Sequence, residues 1–248
     1  MKPLSHIPSR QRGLSLIESL VALVLTLVLI AGVTQMLFGT QRNIRNQNDR
    51  SSMDDSARFA VEYISRAGYR AGYKRNLDDS DSDVFLPVPG SFPIGASVFG
   101  TDTELRVRYQ GHTDSRLAHC HNGAAALDGN FIEIWSLNGT DLRCELTRPG
   151  GAAPTAEPLM SNVEAVQFQY GEDTNNDRYP DIYRNAASVA NWANVRSVVV
   201  SLRMVSDNDN LAETPQPYLD FAGNSVTPAD RRLRRNVFTT VALRNLLP

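Results

Sequence analysis

The chain has 248 residues, 42% of them hydrophobic and 21% charged, with a formal net charge of −2. This size and composition allow one sizeable buried core, so one main globular domain is the simplest organisation. The weak negative charge gives no general attraction to nucleic acid.

The N-terminus combines a basic leader with a long uncharged run. The basic residues of the leader, residues 1–13, are Lys2, Arg10 and Arg12. After Glu18 no charge occurs until Arg42, and residues 19–41 form a 23-residue stretch. As a helix this stretch would be about 34 Å long, more than the roughly 30 Å of a membrane's hydrocarbon core. The sequence therefore predicts one transmembrane segment, with the leader in the cytoplasm and the rest of the chain beyond the membrane.

In an ordinary secretory signal the cleavage site follows the apolar run. Here the candidate cleavage residue, Gly13, lies before the apolar run. Residues 13–18, Gly-Leu-Ser-Leu-Ile-Glu, resemble the class III signal of type IV prepilins. The resemblance implies that a prepilin peptidase cleaves after Gly13 and methylates the new amine of Leu14. Glu18 would then be the fifth mature residue, and the mature chain would carry a net charge of −5.

Glu18 is a costly residue at this position. A carboxylate within an apolar membrane helix costs on the order of 3 kcal/mol, so it should have a partner or a function. The resemblance implies that it pairs with the methylated amine of Leu14 on a neighbouring subunit during filament assembly. The alternative is a carboxylate that snorkels to the membrane surface.

The helix is predicted to continue beyond the membrane, from residue 14 to 67. Apolar residues recur at the spacing of one helical face: Met53, Ala57, Ala60, Val61, Ile64 and Ala67. We divide it into a transmembrane or filament-core half, residues 14–41, and an amphipathic half, residues 42–67. The β-rich globular domain is predicted over residues 68–248.

Past residue 100 the hydrophobic period changes to that of strands. The predicted strands are Leu105 to Tyr109, Phe131 to Leu137, Asp141 to Thr147, Val163 to Tyr170, Val195 to Val205 and Asn236 to Leu243. The pair Asn138-Gly139 predicts a tight hairpin turn, while the acidic residues 77–83 and the prolines after them predict a loop. The expected fold is α+β, with an antiparallel sheet packed on the amphipathic half of the helix.

Cys120 and Cys144 both lie on the side of the membrane that is oxidising, which favours a disulfide between them. A bridge closing a loop of about 25 residues would stabilise the domain by roughly 3.5 kcal/mol. The alternative is a zinc site that adds His119 and His121, although consecutive residues on an extended chain point to opposite faces and converge poorly.

Residues 173–184 resemble a calcium-binding loop, with oxygen donors at positions one, three, five and nine. The predicted ligands are the side chains of Asp173, Asn175, Asp177 and Asp181 and the carbonyl of Tyr179. Arg178 replaces the usual glycine, and Arg184 replaces the closing glutamate. We expect a structural calcium ion, and the alternative is a solvated polar turn.

Two other functions find little support in the sequence. The basic residues Arg231, Arg232, Arg234 and Arg235 could contact phosphate, but no aromatic residues accompany them, so we expect no nucleic-acid binding. No nucleophile elbow, phosphate loop or His-Glu-x-x-His motif is present, and we expect no enzymatic activity.

The later segments resemble the PilW family of minor pilins. The resemblance lies in Tyr-Gly-x-Asp-x-Asn-x-Asp at residues 170–177, Val-Val-Val-Ser-Leu-Arg-Met at 198–204, and the C-terminal residues 235–245. It implies the pilin fold and a structural subunit that helps prime type IV pilus assembly, within a tip or initiation complex of minor pilins.

The partners implied are other minor pilins, the major pilin, the prepilin peptidase and a tip adhesin. Before assembly the chain would be held in the inner membrane by its lipid-facing helix, with its C-terminal domain in the periplasm, and afterwards it would belong to the pilus. The alternatives are a minor pseudopilin of type II secretion and a membrane-tethered receptor for adhesion or DNA uptake.

Overall fold

A computed structural model describes residues 15–151, 153–209 and 211–247. The chain divides into two compact units, with the boundary between Gln47 and Asn48, and we call the unit that starts at Asn48 the globular unit. The helices are α1, Leu16–Arg70, and α2, Asp81–Val84. The strands are β1, Val98–Gly100; β2, Leu105–Gly111; β3, Gly129–Asn138; β4, Asp141–Thr147; β5, Thr155–Met160; β6, Val163–Glu172; β7, Ile182–Arg184; β8, Val195–Val205; β9, Tyr218–Leu219; β10, Ser225–Val226; and β11, Arg234–Ala242.

Helix α1 confirms the prediction of one long N-terminal helix. In its second part, five of the six residues assigned to the apolar face are buried, and Val61 is partly buried against the same core. They pack with residues from both large sheets, because the helical period brings them to one side. The helix ends at Arg70, and Gly72 follows with a φ of +73°, a conformation that glycine adopts without steric cost.

The strands form antiparallel sheets, as predicted, but not a single sheet. Strands β1 to β5 form a five-stranded sheet in chain order, and a four-stranded sheet has the order β11-β8-β6-β7. A third, two-stranded sheet consists of β9 and β10. Every predicted strand is present, and each of its boundaries lies within two residues of the predicted position. The predicted α+β arrangement is therefore confirmed.

The hairpin between β3 and β4 has its turn one residue later than predicted. Asn138 pairs with Asp141, so the two turn residues are Gly139 and Thr140. Gly139 has a φ of +63° and Thr140 does not have a positive φ. This is the requirement of a type II′ turn, which needs glycine at its first central position only. The turn therefore uses the glycine of the Asn-Gly pair but not its asparagine.

The predicted acidic loop contains α2, a single helical turn. The Ser80 hydroxyl accepts a hydrogen bond from the Asp83 backbone N–H, which caps this turn. The segment after it is attached to the domain by Arg108. This arginine donates to four backbone carbonyls, those of Phe85, Leu86, Pro93 and Ala96. The guanidinium thus replaces regular secondary structure as the partner of these carbonyls.

Candidate assembly site

The first part of α1 exposes a continuous apolar surface. Every side chain from residue 15 to 41 is exposed, including the large apolar residues Leu23, Leu29 and Phe38. By length and composition this helix can cross a membrane. Such a surface in water would be unfavourable by about 25 cal/mol per Å², so it requires lipid or other apolar helices around it.

The threonine hydroxyls of this segment are satisfied within the helix. Thr26, Thr34 and Thr40 each donate to the carbonyl oxygen four residues earlier, at 2.7, 2.7 and 2.9 Å. These side chains can enter an apolar medium without a further partner, since an unsatisfied hydroxyl is what makes burial costly.

Glu18 differs from these threonines. It lies in the first turn of α1, and no described residue forms a hydrogen bond or ion pair with its carboxylate. The helix dipole favours an acid in the first turn by about 0.3–1 kcal/mol, whereas placing the carboxylate in the membrane costs on the order of 3 kcal/mol. The dipole alone therefore does not offset the cost, and the carboxylate has an unused capacity for a cationic partner.

Gly13 and Leu14, the predicted cleavage and methylation residues, lie outside the described residues. Ser15 is the first described residue, and its carbonyl accepts from the backbone N–H groups of Glu18 and Ser19 at 3.0 and 3.1 Å. The helix thus begins within two residues of the predicted cut.

Cys120 and Cys144 form a disulfide, with sulfur atoms 2.04 Å apart. Cys120, His121 and Cys144 bring potential metal-ligating atoms within 4.8 Å of one another, while His119 does not belong to this group. Because the two sulfurs are bonded to each other, neither is a thiolate that could hold zinc in this state. His119 is buried instead, and burial lowers the pKa of its imidazole.

The predicted calcium ligands lie in the loop between β6 and β7. Asn175 donates its side-chain amide to Asp177 at 3.1 Å and to Asp181 at 3.2 Å, so these three side chains come together. The Asp181 carboxylate also accepts from the Thr174 backbone and hydroxyl, which lowers its pKa. Tyr179 donates its backbone N–H to Asp177 at 2.8 Å.

Asp173 has a different environment from the other three side chains. It is completely buried, and its carboxylate accepts from the backbone N–H groups of Asn176 and Arg178 at 2.7 and 2.9 Å. Arg196 lies 3.4 Å from the same carboxylate. Arg178 has a φ of +70°, the conformation that glycine provides in such loops. Calcium binding stays a prediction: the loop has the turn conformation, but one of the four acidic or amide ligands already has a cation nearby.

The basic residues near the C-terminus do not form a shared surface of free cations. Arg234 forms hydrogen-bonded ion pairs with Glu164 and Asp230, and only 6% of its side chain is exposed. Arg235 pairs with Asp54 of α1. These contacts hold β11 to neighbouring elements, so two of the four arginines that could contact phosphate have structural partners instead.

Comparisons with known proteins agree with this architecture. Residues 134–245 match the family model described as Type IV Pilus-assembly protein W, and residues 8–34 match the Prokaryotic N-terminal methylation motif. The pilin-like protein PilA3 of Thermus thermophilus is 24% identical over 162 residues, which are 64% of this chain and 67% of that protein.

A solved structure shows the same fold. A type IV-like pilin from Thermus thermophilus superimposes with a TM-score of 0.51 at 15% identity, covering 79% of this chain and 97% of that one. The methylation motif includes the start of the exposed apolar helix, and the PilW match covers most of the β-rich domain. These matches support the assignment of the chain as a type IV minor pilin of the PilW family.

Proposed function

We propose that this minor pilin helps to prime type IV pilus assembly, in a tip or initiation complex with other minor pilins onto which the major pilin is added. The observation that carries the proposal is Glu18, whose carboxylate lies at the start of an exposed apolar helix and has no partner among residues 15–151, 153–209 and 211–247. The proposed role of the whole protein is structural, as is usual for the pilin fold.

The proposed mechanism uses apolar surface and charge for different purposes. Apolar side chains gain little from exchanging lipid for another helix, so they do not determine the axial position of one subunit against the next. An ion pair between Glu18 and the methylated amine of Leu14 on a neighbour would supply that position, because its energy in an apolar medium depends strongly on distance. Leader removal by the prepilin peptidase must come first, since it creates this amine.

The proposed location is the inner membrane before assembly, with the globular unit in the periplasm, and the pilus afterwards. The basic leader supports this orientation by the positive-inside rule. The disulfide between Cys120 and Cys144 supports it independently, because such bonds persist in oxidising compartments.

The test compares Glu18→Gln with Thr26→Ala in cells that lack the natural copy. Thr26 is the matched control, because it is a polar residue of the same apolar stretch whose hydroxyl is satisfied within the helix. We expect both variants to reach the membrane and lose their leader, as measured by mass spectrometry. Only Glu18→Gln should reduce the number of pili, about tenfold if the lost pairing is worth about 1.4 kcal/mol.

A normal number of pili with Glu18→Gln would refute the pairing mechanism. A normal number of pili in cells without the protein would refute the priming role itself. If those cells instead lose secretion of folded proteins, the chain functions as a minor pseudopilin of type II secretion.

A further inference from the structure

An open cleft of about 510 Å³ lies in the globular unit, and none of the described residues that line it belongs to α1. Its walls are the rings of Phe99 and Trp192, the turn at residues 101–103, and the small side chains of Ala186 and Ala187. Open clefts of this volume accommodate small ligands or single side chains. None of these residues was suspected from the sequence.

The aromatic wall is fixed by packing. The centroids of the Phe99 and Trp192 rings are 4.8 Å apart at an angle of 53°, and Tyr170 contacts Trp192 edge-on at 4.7 Å. The buried Tyr170 hydroxyl donates to the carbonyls of Thr101 and Glu104 at 2.8 and 3.2 Å. Two ring faces are thus held in a fixed relation next to the turn, and the negative face of an aromatic ring attracts cations.

The carboxylate-bearing residue Asp102 also lines the cleft. Oδ1 of Asp102 accepts from the backbone N–H of Ala186 at 2.7 Å, and the Asp102 carbonyl accepts from Phe168 at 2.8 Å. The first contact fixes the side chain of Asp102, and the second fixes its backbone. Its second oxygen, Oδ2, has no hydrogen-bond partner among the described residues, so one acceptor remains available to a ligand.

The charge of Asp102 is not compensated by the neighbouring arginines. Arg106 pairs with Glu104 at 2.6 Å, and Arg184 lies 3.1 Å from Glu172. Each of these cations has its own carboxylate, which leaves the cleft with the negative charge of Asp102. Arg106 also lies 6.0 Å from the centroid of Phe99, so this aromatic cluster already contacts one cation of the chain itself.

We propose that this cleft binds an alkylammonium group. The cation would lie between Asp102 on one side and the wall formed by the Phe99 and Trp192 rings on the other. A neutral apolar group would gain contact with the rings but nothing from the carboxylate, and an anion would be repelled. The chemistry fits two sources, a lysine side chain of a protein partner and a small quaternary ammonium compound. The inference does not depend on the proposed role in pilus priming.

The binding test uses the full chain in a maltoside detergent, which contains no ammonium group. Choline is titrated by calorimetry against 3,3-dimethylbutanol, which has the same shape without the charge, and Nα-acetyl-lysine amide represents a peptide lysine. We expect choline or the lysine amide to bind at least threefold more tightly than the neutral alcohol. Tighter binding of the lysine amide indicates a protein partner, and tighter binding of choline indicates a small quaternary ammonium compound.

Two variants locate the bound cation. Asp102→Asn keeps an oxygen for the Ala186 N–H and removes only the charge, so its fold should be unchanged while affinity for the cation falls roughly 3- to 30-fold. The control is Asp114→Asn, which removes an exposed carboxylate outside the cleft and should leave affinity unchanged. Equal binding of choline, the lysine amide and the neutral alcohol, or an unchanged affinity in a folded Asp102→Asn protein, would overturn the proposal.

Discussion

Glu133 is a carboxylate with no exposure to solvent, and five hydrogen bonds make this possible. Its oxygens accept two bonds from Arg70 and one each from the Tyr109 hydroxyl, the Cys120 backbone and the Trp135 indole. Burial and the nearby Glu133 charge both raise the pKa of Tyr109, which keeps its hydroxyl as a donor. One residue thus connects the end of α1, the five-stranded sheet and the disulfide.

Replacing Glu133 with glutamine should therefore be strongly destabilising. The change leaves Arg70 buried without a counter-charge, and breaking a buried pair in this way typically costs about 3–5 kcal/mol. The measurement is the free energy of unfolding of the globular unit, from denaturant titration followed by tryptophan fluorescence.

The matched control for this change is Glu62→Gln, in the helix that carries Arg70. Glu62 also pairs with an arginine, Arg66, but more than half of each side chain is exposed. Exposed pairs of this spacing are worth about 0.3–0.5 kcal/mol. Similar losses of unfolding free energy in the two variants would show that burial does not strengthen the contribution of the Glu133–Arg70 pair to stability.

Arg234 joins two elements, since Glu164 lies on β6 and Asp230 in the segment before β11. The hydrogen bond from Arg234 is the main reason why the pKa of Asp230 falls to about 2. An aspartate with a lowered pKa binds its proton less readily in the folded than in the unfolded state. Its contribution to stability is therefore complete above about pH 4 and is lost as the pH falls toward 2.

The lowered pKa of Asp230 predicts how the melting temperature depends on pH. Between pH 5 and pH 2 the melting temperature of the natural protein should fall more than that of Asp230→Asn, which has no carboxylate to titrate at this position. The two curves should converge at the acidic end, because protonated Asp230 and asparagine are both neutral. Parallel curves would mean that Asp230 contributes no pH-dependent stability.

The loop between β6 and β7 is the element on which the calcium prediction depends. We expect millimolar calcium to raise the melting temperature and EGTA to reverse this, because binding to the folded state alone adds about 1.4 kcal/mol when calcium is at tenfold its dissociation constant. Asp177→Asn should weaken the effect, and the exposed Asp114→Asn should not. Identical melting curves in calcium and EGTA would leave the loop as a polar turn stabilised by its own hydrogen bonds.

Elements with a repeating pattern were predictable from the sequence, and single residues with many partners were not. The face of α1 from Met53 to Ala67 and strands β3 and β4 were recognised because burial follows a regular period. Arg108 was not, because it occupies a polar position of an alternating strand and yet only 1% of it is exposed. Its partners are carbonyls 12 to 23 residues earlier, and burial lowers its pKa to about 10.

Short strands and binding sites were also not predictable, because they too lack a repeating sequence pattern. Strands β1 and β7 have three residues each, too few to show alternation, and they are defined by their partners β2 and β6. The aromatic cleft is similar, since Phe99 and Trp192 are far apart in sequence. Glu18, in contrast, was recognisable because one charge in an apolar run is a local signal.

At the scale of the whole molecule, the two compact units give a different boundary from the predicted domains. The unit that starts at Asn48 includes the second part of α1, whereas the globular domain was predicted to start at residue 68. The buried residues that lie between these two boundaries are Met53, Ala57, Ala60, Ile64 and Ala67. They share one core with residues of both large sheets, such as Trp135 and Val200.

A chain starting at Asn48 should therefore fold with the melting temperature of the full-length protein, while a chain starting at Gly68 should not fold cooperatively. Losing Met53 and Ile64 alone removes about 3–6 kcal/mol of apolar burial, a large part of the 5–15 kcal/mol typical of a domain. The remaining sheets would also expose the surface that α1 covers. Thermal unfolding by circular dichroism distinguishes the two chains, and a sharp transition in the chain starting at Gly68 would show that the helix is an accessory to the core rather than part of it.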